Sequence, residues 1–171
     1  MVALVYNKRE RGSLLYLIFM VSPTTKTLEI FKSSASQLSW KIPYLNILVL
    51  FGSQATGKTN DDSDWDFAAL YDENLYTEQR SENAWDLLAI PDILGEVFQI
   101  EPELIDVVDL NRCHAFVADS IGTEGQLIYE KVEGEFEHYR KTIILSHEQK
   151  KQITQQLRRN IDYFLETWSS T

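Results

Sequence analysis

The sequence predicts one domain of the α/β (α+β) class, with strands and helices interspersed along the chain. Three short apolar runs have the length of buried strands, and the segments between and after them carry helix signals. The chain has 171 residues, 44% of them apolar, which suits one full core and makes a second domain unexpected.

Residues 1–22 are predicted to be an N-terminal extension, ahead of a single domain at 23–171. Basic residues at positions 8 to 11 precede the apolar run Leu14–Val21, as in a signal peptide. The run is short for that role and far too short to span a bilayer. We expect either a buried strand or an extension upstream of a true start at Met20.

The first predicted elements are a helix and two strands. Thr24–Leu38 has weak helical periodicity, and Pro43 stops any helix there. Leu45–Phe51 is a near-continuous apolar run, typical of a strand buried on both faces. Trp65–Tyr71 is a second strand, and the residues between the two strands are small and polar.

The second half of the chain alternates helix and strand signals, with glycine and proline between them. The predicted segments are a helix or two short helices around Pro91 (Ser81–Phe98), a strand (Leu104–Leu110), a helix ended by Gly122 and Gly125 (Phe116–Ile121) and a short strand (Gln126–Glu130).

A long amphipathic helix is predicted at the C-terminus. Ser146 and Gln149 form a capping box that opens it. Its apolar residues fall on one face and are interpreted as core or as a partner surface: Ile153, Leu157, Ile161, Phe164, Leu165 and Trp168.

Two phosphate-handling patterns overlap after the first strand. Gly52–Thr59 has the letters of a P-loop, but no apolar period follows Lys58, and four aspartates lie between positions 61 and 66. Those carboxylates would repel bare phosphates unless a cation lay between them. The second pattern is Gly52-Ser53, ten residues, then Asp64-Trp65-Asp66, and it explains the acids.

In the second pattern each residue has a chemical role. Asp64 and Asp66 are two apart at the start of a strand, so both side chains lie on one face and can hold magnesium together. Gly52 allows a sharp turn at the end of its strand. Ser53 offers a hydroxyl and a backbone N–H to phosphate.

A third carboxylate is expected from the strand at Leu104–Leu110, which offers two candidates. Asp106 and Asp109 are three apart and face opposite sides of a regular strand. Asp106 is the preferred ligand. Asp109 is the reserve, because it lies where the strand ends and could cap the following helix from near Asn111.

These motifs resemble the minimal nucleotidyltransferases, small relatives of DNA polymerase beta encoded beside HEPN-domain partners as toxin–antitoxin pairs. The resemblance covers roughly residues 45 to 130 and rests on Gly52-Ser53, Asp64-x-Asp66 and the run Ile105–Leu110. It implies the nucleotidyltransferase fold, a small mixed sheet flanked by helices, with a C-terminal helix after it. The family often has Arg where this chain has Gln54, which leaves one phosphate contact weaker or supplied by Lys58.

The resemblance also implies an activity: a type VII-like antitoxin that transfers AMP from ATP to a tyrosine of a HEPN ribonuclease and so silences it. Two Mg²⁺ ions would be bound by Asp64, Asp66 and Asp106 at the α-phosphate. Pyrophosphate would leave toward Gly52 and Ser53.

Composition limits the partners. A net charge of −10 argues against direct nucleic-acid binding and favours a basic protein partner. The only cysteine, Cys113, fits a reducing cytoplasm, and no membrane association is expected. Two other functions stay open: a binding-only antitoxin with an inactive site, and an aminoglycoside nucleotidyltransferase, although the latter usually has a larger C-terminal domain.

Overall fold

The computed structural model of the chain describes residues 25–58, 63–82 and 89–169. The predicted extension at 1–22 lies outside these ranges, and so do residues 59–62 and 83–88. The helices are α1 (Thr25–Ser34), α2 (Leu38–Lys41), α3 (Gly52–Thr56), α4 (Glu73–Glu82), α5 (Ile90–Phe98), α6 (Ala115–Glu124), α7 (Glu135–Ile143) and α8 (His147–Ser169), and the strands are β1 (Leu45–Phe51), β2 (Trp65–Tyr71), β3 (Ile105–Asp109) and β4 (Gln126–Glu130).

The four strands form one mixed sheet in the order β3-β2-β1-β4. β1 is antiparallel to both of its neighbours, whereas β2 and β3 are parallel. Phe51 pairs with Asp66 across β1 and β2, and Asp66 pairs with Asp106 across β2 and β3. The end of β1 and the beginnings of β2 and β3 therefore meet at one end of the sheet.

Each face of the sheet is covered by a hydrophobic cluster. The larger cluster lies under α1, α2 and α5, and its rings include Phe31, Trp65, Phe67 and Phe98. The smaller cluster joins Ile47, Val49, Ala68, Leu110, Ile121 and Phe136, so it lies between the sheet and the helices α6 and α7. Alternate residues of β1 and β2 reach opposite clusters, as two-sided burial of these apolar runs requires.

The sequence predicted β1, β2 and β4 at their observed bounds, and β3 lies within the predicted strand. α1 lies within the predicted helix Thr24–Leu38, which ends where α2 begins, and the helices α3, α4 and α7 were not predicted. Pro91 lies in the first turn of α5, where a missing N–H needs no partner. Residues 83–88 of the predicted segment Ser81–Phe98 lie outside the described residues. Gly122 lies inside α6 and packs against the end of α7, and Gly125 alone caps the helix.

The predicted capping box at the start of α8 is present. Ser146 N–H donates to Gln149 Oε1 (2.8 Å), and Gln149 N–H donates to Ser146 Oγ (3.3 Å). The large apolar and aromatic residues from Leu157 to Trp168 are between 38% and 73% exposed, so they are not core of the part of the chain that the structure describes. Their interpretation as a partner surface stays a prediction. No helix among the described residues is long and apolar enough to cross a membrane.

Asp119 of α6 anchors the beginning of α8. This residue is 8% exposed, and its carboxylate accepts from Leu145 N–H (2.8 Å) and pairs with Lys150 Nζ (2.7 Å). The Lys150 and Leu145 bonds hold the pKa of Asp119 below its ordinary value.

We expect Asp119→Asn to lower the free energy of unfolding by about 1 kcal/mol at neutral pH, because the neutral amide keeps an acceptor for Leu145 but loses the ion pair. A carboxyl with a lowered folded-state pKa stabilises above its unfolded pKa, and this contribution is lost as pH falls through the folded pKa. Urea unfolding of both proteins should therefore converge in acid. A difference that persists well below the ordinary Asp pKa of 3.8 would contradict the ion-pair explanation.

Candidate nucleotide and metal site

The turn after β1 is built around Gly52, whose φ is +69°. A side chain is disfavoured at this angle, and a Cβ here would also collide with the Asp66 carboxylate. The chain continues into the short helix α3, and Gly57 caps that helix in the left-handed conformation. Because the segment between the two glycines is a helical turn, it does not form the phosphate-cradling loop of a P-loop.

Asp64 and Asp66 flank Trp65 at the beginning of β2. Trp65 is 4% exposed and packs edge-on against Phe31 in the larger cluster, with 5.2 Å between the ring centroids. Since neighbouring side chains of a strand point to opposite faces, Asp66 lies on the other face, with Ala68 of the smaller cluster. Trp65 thus anchors the beginning of β2 in the larger cluster, on the face of the sheet opposite to Asp66.

Asp106 lies next to Asp66 in the parallel register of β2 and β3. The pKa of Asp66 is raised by partial burial and then by the charges of Asp106 and Asp64. Three carboxylates that were predicted to act together are therefore electrostatic neighbours, close to the turn at Gly52 and Ser53.

Asp109, the reserve candidate, has a different role. Its Oδ2 pairs with Arg112 Nη1 at 2.5 Å, and its Oδ1 accepts from Asn111 N–H at 2.9 Å. It therefore stabilises the turn after β3. The prediction that it caps the following helix was wrong, because the N-cap of α6 is His114, whose Nδ1 accepts from Phe116 N–H. Asp109 is thus engaged by its own turn, on the face of β3 opposite Asp106.

The donor set suits a hard divalent cation. Carboxylate oxygens are the ligands that Mg²⁺ prefers, and a cation would relieve both the burial of the Asp66 charge, which is the main cause of its raised pKa, and the repulsion from Asp106 and Asp64. Within residues 25–58, 63–82 and 89–169, no three His, Cys, Asp or Glu side chains already have the arrangement of a metal site.

Sequence reasoning missed two contacts around these residues. Gln54 is buried and donates to the carbonyl oxygen of Ser63, next to Asp64. Arg112 bridges Asp109 to Glu73, whose carboxylate lies 3.8 Å away. Neither contact has a signal in the sequence, because both depend on how the turns fold.

Two further residues named in the sequence analysis lie outside this group of carboxylates. Lys58, the alternative phosphate ligand, is exposed, and Cys113 is half-buried with a pKa raised by burial.

Comparisons with known proteins agree with this architecture. Residues 37–134 match the family model described as polymerase beta, nucleotidyltransferase. The protein adenylyltransferase MntA of Aphanizomenon flos-aquae (strain 2012/KM1/D3) is 43% identical over 132 residues, which cover 77% of this chain and 88% of the relative.

One solved structure matches in fold at low identity, and a second is similar over most of its length. A crystal structure of a mutant toxin–antitoxin MntA–HpeT is 18% identical, with a TM-score of 0.52 over 80% of this chain and 96% of that one. An MNT antitoxin complex with a tri-AMPylated HEPN toxin of Shewanella oneidensis has a TM-score of 0.49 at 17% identity, over 82% of this chain and 97% of that one. By its family match and its curated relative, the chain is an enzyme that belongs to the polymerase beta nucleotidyltransferases, among their minimal members.

Proposed function

We propose that this chain transfers AMP from ATP to a tyrosine hydroxyl of a HEPN-domain ribonuclease toxin and thereby acts as its antitoxin. The proposal is carried by one observation: Asp64, Asp66 and Asp106 lie together beside the turn at Gly52 and Ser53. The relative that is 43% identical bears the name protein adenylyltransferase, and this supports a protein as the acceptor.

In this mechanism the glycine turn binds the distal phosphates of ATP. The positive φ of Gly52 keeps the turn free of a Cβ, so backbone N–H groups and the Ser53 hydroxyl can face the phosphate oxygens. Asp64, Asp66 and Asp106 would hold two Mg²⁺ ions, which supply charge neutralisation at the α-phosphate when bound.

The acceptor tyrosine lies on the side of Asp106. The tyrosine oxygen forms a bond to the α-phosphorus of ATP. The bond between that phosphorus and the oxygen that bridges the α- and β-phosphates breaks, and pyrophosphate leaves with the electron pair toward Ser53. Asp106 takes the proton of the tyrosine hydroxyl. Positioning and charge neutralisation supply most of the rate, since the protein forms no covalent bond.

The test is intact mass spectrometry of the HEPN-domain toxin after incubation with this chain, ATP and Mg²⁺. We expect mass gains in whole AMP units that need both ATP and Mg²⁺. A stable complex without any gain would contradict the transfer and leave a binding-only antitoxin. AMP found on an added aminoglycoside, with the toxin unchanged, would identify a small-molecule nucleotidyltransferase.

The choice between Asp106 and Asp109 can be tested with a matched pair of variants. We expect Asp106→Asn to lower the rate of AMP transfer by about 100-fold or more, because a metal ligand and the proton acceptor are lost together. Asp109→Asn should stay within about threefold of the wild-type rate, since its charge is paired with Arg112. The measurement is the initial rate of toxin modification, and the reverse order of the two effects would make Asp109 the ligand.

A further inference from the structure

Gln54 is a buried polar residue that the mechanism does not use. It follows Ser53 in α3 and is 6% exposed. Its Nε2 donates to the backbone carbonyl oxygen of Ser63 at 3.1 Å, across the connection between α3 and β2. This hydrogen bond joins the phosphate-binding turn to the residue directly before Asp64.

The orientation of the Gln54 amide is fixed by this bond. A flipped amide would place Oε1 against the Ser63 carbonyl oxygen, and two acceptors repel each other. In the observed orientation Oε1 is buried and has no hydrogen-bond partner in the part of the chain that the structure describes. A buried acceptor without a partner costs about 1–3 kcal/mol, so stability alone does not account for glutamine here.

The hydrogen bond from Gln54 acts directly before the paired part of β2. Pairing of β2 with its neighbours begins at Trp65 and Asp66, so Asp64 lies just outside the ladder, and its side chain is exposed. Trp65 holds the peptide after Asp64 in the larger cluster. The Gln54 bond to Ser63 holds the carbonyl group of the peptide before it.

We propose that Gln54 is a positioning residue, which fixes Asp64 at a set distance from the turn at Gly52 and Ser53. This inference rests on the proposed function, because it needs Asp64 to be a metal ligand. By holding the Ser63 carbonyl group, Gln54 keeps the Asp64 carboxylate at a fixed position relative to the phosphate-binding turn. Outer-sphere residues that orient metal ligands typically change metal affinity by about 10–100-fold when they are replaced.

The test uses Gln54→Met, which keeps the length of the side chain and removes both polar atoms, with Gln37→Met on the exposed surface as its control. Mn²⁺ binding to the full chain is measured by isothermal titration calorimetry, and stability by thermal unfolding without metal. We expect about tenfold weaker Mn²⁺ binding in Gln54→Met. Its unfolding temperature should equal or exceed that of the wild type, because the unpartnered acceptor is gone.

Gln54→Leu is a second apolar variant of the same position. It has no donor for the Ser63 carbonyl oxygen and adds no buried charge, so Mn²⁺ binding should weaken in this variant too. Unchanged Mn²⁺ affinity in both variants would overturn the proposal. So would a loss of affinity that merely follows a fall in unfolding temperature, since that is the behaviour of a structural residue.

Failure of this inference can be told apart from failure of the proposed function. A wild-type chain that binds Mn²⁺ but modifies no toxin contradicts AMP transfer, and the Gln54 variants still decide whether this residue positions Asp64. A wild-type chain that binds no Mn²⁺ overturns the positioning role and leaves AMP transfer to the mass measurement.

Discussion

Replacement of both Asp64 and Asp66 by asparagine is expected to abolish AMP transfer without unfolding the protein. Two of the three carboxylates of the site disappear, and the loss of metal-assisted charge stabilisation of about 4 kcal/mol corresponds to a rate about 10³-fold lower. Stability should be unchanged or slightly higher. A raised folded-state pKa means that ionised Asp66 is disfavoured in the folded protein at neutral pH, first by its partial burial and then by the charges of Asp106 and Asp64, and asparagine removes the charge that both act on.

This prediction is checked by the rate of toxin modification, the thermal unfolding temperature and a binding measurement with the toxin. The double variant Glu101→Gln/Glu103→Gln, which removes two exposed carboxylates before β3, is the control for the change in net charge. Toxin binding should survive in the double variant. Neutralisation of the toxin in cells by the double variant, at the wild-type level, would show that binding alone suffices and that the site is not needed.

Gly52→Ala is expected to have the second largest effect, since it disturbs the turn and the carboxylates together. A Cβ at φ +69° costs about 1–2 kcal/mol of backbone strain. The new methyl group also meets the Asp66 carboxylate, so one of the two must move. We expect the free energy of unfolding to fall by at least the strain energy, and AMP transfer to fall by about 100-fold or more because misplacement by about 1 Å already has effects of that size.

Gly57→Ala is a matched control for this variant. Gly57 has a similar φ of +74°, but a Cβ there would meet no atom within 4 Å. Chemical denaturation should find a comparable strain cost in both variants, whereas the rate of AMP transfer should collapse only in Gly52→Ala. Equal losses of activity would mean that strain in α3, and not the contact with Asp66, is responsible.

The strands were predictable because each is a short apolar run with abrupt polar ends. β1 and β2 needed no other information, since a sheet covered on both faces selects such runs directly. α7 escaped prediction because it has only nine residues, so its apolar period of Phe136, Tyr139 and Ile143 covers little more than two turns. α3 has five residues, too few for any periodic signal. The apolar face of α8 was predicted correctly, but periodicity cannot say whether a face is covered.

The site was predictable in part for the same reason. Two aspartates separated by one residue must share a face of a strand, so the nearness of Asp64 and Asp66 follows from local geometry. The nearness of Asp106 depends on the parallel pairing of β2 and β3, which the family resemblance implies and the spacing alone does not. The hydrogen bond of Gln54 to Ser63 depends on the helical turn α3, which no pattern in the sequence predicts.

The position of β3 at the edge of the sheet has a consequence for dynamics. β3 is paired with β2 alone in the described sheet, so it can fray without global unfolding, and each such opening removes Asp106 from its neighbours. A cation shared by Asp66 and Asp106 would favour the closed strand by the free energy of its binding. Binding of the cation would therefore slow amide hydrogen exchange in β3 more than in β1. Cation binding and closure of the edge strand would be thermodynamically coupled, so each would favour the other.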